Sequence, residues 1–194
     1  MKKFNQTLII LSTLFISLIG CEPDPEELFI RHFLIRSGEH YSTPRLVEIL
    51  QSDRLVFRAK FDESAMYDFG DAALQSNKNK LMGISDCNSL HHQNSARFAW
   101  QWFNDRLEIY AYCYVNSIRM ENFIGTVNLN EENLYEIILT DNEYVFYMNG
   151  QRITAIKRGD VCSKGVYYML YPYFGGSLPA PHNVRIDVSV KMTN

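Results

Sequence analysis

The chain has 194 residues, 46% hydrophobic and 21% charged, with 19 basic against 22 acidic side chains and a net charge of −3. Such a composition excludes global disorder, and the acidic balance gives no electrostatic footprint for nucleic acid. Twelve Tyr and twelve Phe beside ten Gly and six Pro point to a strand-rich body of ordinary domain size.

In chain order, Lys2 and Lys3 precede an apolar run from Leu8 to Ile19. It falls short of the ~20 residues a bilayer span needs and fits a secretory signal core. The run ends in Leu18-Ile19-Gly20-Cys21, which resembles a bacterial lipobox. That resemblance implies cleavage before Cys21 and acylation of its thiol with chains such as palmitate, so residues 1–20 are read as a lipoprotein signal peptide. Glu22 after the anchor resembles lipoproteins sent to the outer membrane. Residues 21–27, with the acidic, proline-bearing run Glu22-Pro23-Asp24-Pro25-Glu26-Glu27, read as a flexible tether. The run is faintly similar to surface-export signals of glycan-degrading Gram-negative bacteria. The expected location is the cell envelope, lipid-anchored at the outer membrane.

Residues 28–194 read as one all-β domain. Leu55, Phe57, Ala59 and Phe61 alternate with Val56, Arg58 and Lys60, and Val184, Ile186, Val188 and Val190 alternate with Arg185, Asp187 and Ser189. This period of two is a strand signal. Further strands are expected near 28–36, 80–85, 95–103, 106–115, 118–128, 134–140, 143–148, 151–157 and 166–173. About eleven short strands without a convincing helix point to an antiparallel two-sheet sandwich or jelly roll, with a calycin-like barrel as the alternative. Turn residues separate them: Asn104-Asp105, Asp141-Asn142 and Asn149-Gly150, the last suited to a type I′ hairpin. With Asn104-Asp105 as a two-residue loop, Phe98, Trp100 and Trp102 face Ala111, Ile109 and Leu107 on an apolar side. Ser95, Arg97, Ala99 and Gln101 then face Tyr114, Tyr112, Tyr110 and Glu108 on the other. A slip of one residue would exchange the two faces.

Three cysteines remain after Cys21. Cys113 alternates with buried positions of its strand, while Cys87 and Cys162 fall in loops and could be bridged. The densest polar stretch runs from Ser85 to Arg97 and contains Asp86, Asn88, His91, His92 and Asn94. Three readings stay open for it: a loop that satisfies its own backbone through Asx turns, a structural calcium site using Asp86 and Asn88, or a binding loop at the rim of a sheet. Zinc fits less well, because adjacent His91 and His92 are expected to point apart. The second singular segment is Tyr167 to Gly176, in which Tyr167, Tyr171 and Tyr173 are expected to share a strand face, followed by Pro179-Ala180-Pro181-His182-Asn183. Flat rings with amides and charges nearby suit sugar recognition, the rings stacking on pyranose faces. The expected ligand-binding set is His92, Asn94, Arg97, Gln101, Tyr110, Tyr112, Tyr114, Tyr171, Tyr173 and His182.

Asn79-Lys80-Leu81, Gly83 to Cys87, His92 to Phe98, Trp100, Tyr171 to Gly176 and Ala180-Pro181-His182 resemble a group of uncharacterised secreted bacterial lipoproteins. The ending is also similar to concanavalin-like jelly rolls, which include lectin, glucanase and polysaccharide-lyase domains. The likeness implies a sandwich and brings no activity of its own. A retaining glucanase would need paired carboxylates ~5 Å apart, and the Glu-x-Asp-x-x-Glu pattern is missing. A lyase would need a Tyr or His base beside an Arg, for which Tyr112, His92 and Arg97 are candidates. The reading is therefore a non-catalytic, membrane-anchored glycan binder without a cofactor. A structural lipoprotein with an envelope protein partner and a polysaccharide-active enzyme are the alternatives.

Overall fold

The structure is a computed structural model and describes residues 29–159 and 165–190. Thirteen strands follow one another: β1 (Phe29–Ile35), β2 (Ser42–Thr43), β3 (Ile49–Leu50), β4 (Arg54–Phe61), β5 (Asn79–Ser85), β6 (Ser95–Phe103), β7 (Arg106–Val115), β8 (Ile118–Val127), β9 (Asn133–Leu139), β10 (Glu143–Met148), β11 (Gln151–Lys157), β12 (Tyr167–Leu170) and β13 (Val184–Val190). One sheet of seven strands, sheet A, runs β11-β10-β9-β4-β13-β1-β2, and a second of six, sheet B, runs β3-β12-β5-β6-β7-β8. Every pairing is antiparallel. Because the two sheets share no strand and each keeps two ends, the body is a sandwich rather than the alternative calycin-like barrel. A one-turn helix, α1 (Ala72–Gln75), is capped by the Asp71 carboxylate, which accepts from Ala73 and Leu74.

Alternation decides which side of each strand is buried. Phe33, Ile35, Leu55, Phe57, Phe61, Ile186 and Val188 of sheet A meet Leu81, Ile84, Phe98, Trp100, Leu107, Ile109 and Ala111 of sheet B. Aromatic rings cross the gap: Phe57 lies edge-on to Phe98 with centroids 5.8 Å apart, and Phe61 lies 5.2 Å from Trp100. Non-polar burial of this kind is the main favourable term in folding. Cys113 is a free, buried thiol, and burial pushes its pKa up.

The β6–β7 hairpin has the expected register, with Arg97 opposite Tyr112 and Trp100 opposite Ile109. Asn104 and Asp105 both take positive φ, 51° and 57°, as a type I′ turn requires.

Residue Asp86 follows β5 and is fully buried. Both of its oxygens are engaged: Arg158 donates from Nη2 to Oδ1 at 2.8 Å and from Nε to Oδ2 at 3.0 Å, and the Tyr144 hydroxyl donates at 2.6 Å. Asp86 thus sits in a buried ion pair that ties the end of β5 to β10 and to Arg158 just after β11. Asn88, at φ 55°, accepts from the Val166 amide and donates its own N–H to the Val166 carbonyl. Among the described residues no group of three His, Cys, Asp or Glu is placed to hold a metal ion. Cys87 is disulfide-bonded, and Cys162, its expected partner, lies outside the described residues. So do Cys21, the signal peptide and the tether.

Candidate binding cleft

The face of sheet B turned away from the core carries a cleft of about 670 Å³. Its floor is Lys80 on β5, Ser95 and Arg97 on β6, Tyr112 and Tyr114 on β7, and Arg119 at the start of β8. Its walls are the segment around Tyr41 to Leu46, the stretch from Leu170 to Gly176, and His91-His92. The lining contains Arg45, Lys78, Lys80, Arg97 and Arg119 but no Asp or Glu. On a chain of net charge −3, five cations without an acid make a local field of the opposite sign.

Arg97 is central. It is only 8% exposed, and its Nη2 donates to the Tyr171 carbonyl at 2.7 Å. Its Nε is buried without a hydrogen-bond partner. Burial lowers its pKa to about 10, since removing a cation from water disfavours the charged form. The glycine opposite, Gly83 on β5, makes room for it: a Cβ there would lie 2.1 Å from the Ala96 carbonyl oxygen and 2.6 Å from Arg97 Cγ. A bulge between Lys80 and Gly83 keeps Lys80 on the same outward face.

Lys80 donates to the carbonyls of Lys78 and Gly175 at 2.8 and 2.9 Å, and its Nζ sits 4.8 Å from the centre of the Tyr112 ring. Burial, then the charge of Arg97, lowers its pKa to about 8. The Gly175 carbonyl is available because Gly175 takes φ +94° and passes against Leu178, where a Cβ would lie 2.3 Å from the carbonyl oxygen. Nearby, Lys78 lies 4.3 Å above the Tyr110 ring. Arg119 pairs with Glu121 at 3.0 Å. Burial and the Tyr114 hydroxyl push the Tyr112 pKa up, so its phenol stays protonated across ordinary pH.

The structure gathers His92, Arg97, Tyr112, Tyr114, Tyr171 and Tyr173 around this cleft, Tyr171 with its ring turned to the core side. Other expected residues lie elsewhere. Gln101 donates to Glu108 at 2.7 Å and to the Tyr110 hydroxyl at 3.1 Å while accepting from Lys78, so Gln101 and Tyr110 belong to a closed network beside the cleft. Asn94 donates to the Ser89 hydroxyl within its own loop and ties that loop to the β7–β8 turn by accepting from the Asn116 backbone amide. His182 contacts the Ser64 carbonyl through Nε2 at 2.9 Å. Tyr167, Tyr171 and Tyr173 do not share a face. Tyr167 and Tyr171 pack against the core, with the Tyr171 ring 5.7 Å from Phe33 and its hydroxyl donating to Glu48. Tyr173, beyond Pro172, stacks instead on His40 and meets Tyr41 edge-on. His91 and His92 do not point apart, since their rings lie 4.0 Å from one another.

Tyr41, Arg45, Lys78, Lys80 and Arg119 were absent from the expected set. Lys80 and Arg119 read as ordinary solvated strand positions, Tyr41, Arg45 and Lys78 fall in connecting segments, and only the bulge and the fold bring these five together.

No protein-family model matches the chain, and no curated protein matches it. Solved structures share its fold at low identity. An alginate lyase, AlyC3, superposes with a TM-score of 0.53 at 9% identity over 86% of this chain and 74% of that one. The laminarinase catalytic domain from Thermotoga maritima gives 0.52 at 12% identity over 89% and 82%. A non-specific endo-β-1,3(4)-glucanase of family GH16 gives 0.53 at 9% over 85% and 72%. These likenesses establish a jelly-roll β-sandwich fold.

Proposed function

We propose that this chain is a lipid-anchored envelope protein that binds a polysaccharide in the cleft of sheet B. The observation that carries the reading is the lining itself, where the part-exposed rings of Tyr114 and Tyr173, with Tyr112 buried beneath Lys80, stand beside hydrogen-bonding cations on an open sheet face. Such rings offer flat apolar surface with a polar edge. The jelly-roll proteins that superpose on the chain are, by their names, alginate lyase, laminarinase and glucanase, which supports the same reading. Two-carboxylate hydrolysis is not favoured, because no carboxylate lines the cleft.

A glycan-array screen of the full chain tests the proposal. Selective binding to a polysaccharide class is expected, lost in Tyr114→Ala with an unchanged melting temperature. A blank array on folded protein refutes it. The anchor is tested separately: Cys21→Ser should move the protein from the membrane to the soluble fraction. A second reading, β-elimination, draws support from Arg97 and Tyr112 standing directly opposite on β6 and β7. It predicts unsaturated-sugar absorbance on incubation with an acidic polysaccharide, abolished in Tyr112→Phe.

A further inference from the structure

We infer that the cleft is a uronate site, in which the sugar carboxylate of an acidic polysaccharide sits between Arg97 and Lys80; this rests on the polysaccharide reading and names its ligand class. Two observations converge on these two side chains. Arg97 is a buried cation whose Nε has no partner and whose Nη2 is satisfied by a neutral carbonyl. Neither Arg97 nor Lys80 forms an ion pair with any carboxylate among the described residues. Buried charges in folded proteins are ordinarily paired, so an incoming anion supplies what the fold leaves out. Glu121, the acid whose charge reaches Lys80, is already held by Arg119.

Lys80 adds a second donor to the same place. Its ammonium uses two N–H groups on the carbonyls of Lys78 and Gly175, leaving the third for an acceptor. The absence of a side chain at Gly83 lets the Arg97 stem lie across β5 beside it. A planar carboxylate matches the guanidinium fork, and the pyranose that carries it would lie against the part-exposed ring of Tyr173. Neutral glycans offer nothing to the unpaired charge. A sulfated glycan offers an anion of different shape, which the measurement separates.

Titration calorimetry on the full chain would compare galacturonate, mannuronate and glucuronate oligomers with their carboxyl-reduced counterparts and with dextran sulfate. At least one uronate oligomer should bind, and reducing its carboxyls should weaken binding by about ten- to a hundredfold, as expected for hydrogen bonds to a charged group. Lys80→Gln should weaken the acid form about tenfold and leave the reduced form unchanged. Since Arg97→Gln also alters a buried position, Lys80→Gln is the decisive variant, with its melting temperature recorded beside it. Equal binding of acid and reduced forms overturns the uronate assignment while the polysaccharide reading stands. Dextran sulfate bound as tightly, with the same loss in Lys80→Gln, overturns it in favour of a general anion site. No binding of any oligomer overturns the uronate assignment, and the glycan array then decides the polysaccharide reading.

Discussion

Lys80 shows how one side chain sets a pH dependence of two opposite signs. Arg97 on β6, Tyr112 on β7, Arg119 and Glu121 on β8, Tyr173 in the wall and Lys78 just before its own strand face or influence it. In the free protein its pKa lies near 8, against 10.5 for the ordinary side chain. A polyuronate stays ionised in this range, so its affinity should fall as pH rises through about 8, which calorimetry at stepped pH checks. Stability should move the other way. The folded state gives up the Lys80 proton more readily than the unfolded state, so the unfolded chain binds more protons above pH 8 and stability rises with pH. The gain should level off from about pH 9, where the buried Cys113 thiol is held protonated above its ordinary 9.0, and reverse above pH 10, where Tyr67, buried and raised to about 12 from 10.0, makes the unfolded state the readier to lose a proton. Urea midpoints across this range would show the rise and the turn.

Asp86 belongs to the same scale. Its carboxylate is 0% exposed and Arg158 only 4% exposed in the side chain. Asp86→Asn leaves that guanidinium buried without its counter-charge and should cost about 3–5 kcal/mol in denaturant unfolding. Adding Arg158→Met should recover part of the loss, because removing both charges also removes the desolvation they suffer. Sequence could not show this pair, since the partners stand 72 positions apart and a loop Asp beside Asn reads equally well as an Asx turn or a cation ligand.

At the level of elements, β6 and β7 were readable residue by residue, because the Asn-Asp turn fixes the register and alternation then places every side chain. Arg97 and Tyr112 could be paired on that basis alone. The stretch after β12 was not readable in the same way. Simple alternation puts Tyr171 and Tyr173 together, but the strand ends at Leu170 and Pro172 intervenes, so the two rings part. The cations of the cleft come from separate elements, and no local pattern joins Lys80 to Arg119. Two substitutions test the element-level account. Asp105→Val forces a β-branched residue into the left-handed region and should destabilise the hairpin by about 1–2 kcal/mol. Gly83→Ala drives a Cβ into the backbone of β6 and should cost about 3 kcal/mol. It should also displace Arg97, so that any glycan retained by the folded variant binds more weakly.

For the whole molecule, an acidic chain presents one basic cleft. Attraction between that cleft and a polyanion acts across solvent and is screened over about 10 Å at ~0.1 M salt. The association rate with a polyuronate should therefore fall by about tenfold or more from low to high salt, as stopped-flow mixing would show. The dissociation rate, governed by the buried contact at Arg97, should change far less. Fold class was legible from period-two alternation throughout, because burial of one strand face imposes that pattern wherever two sheets pack.

Tyr171 has its ring and hydroxyl among Phe33, Glu48 and Arg31 on the core side, while its carbonyl holds Arg97 on the outer side. It works as a rivet through the thickness of the protein, with its head in the binding surface and its shank clinched behind. Loosening the back should therefore blunt the front. Arg31→Ala, a change on β1 well away from any sugar, should lower glycan affinity chiefly by letting the Tyr171 carbonyl drift. The first strand beyond the expected membrane tether would then help set the grip of the face that meets the polymer.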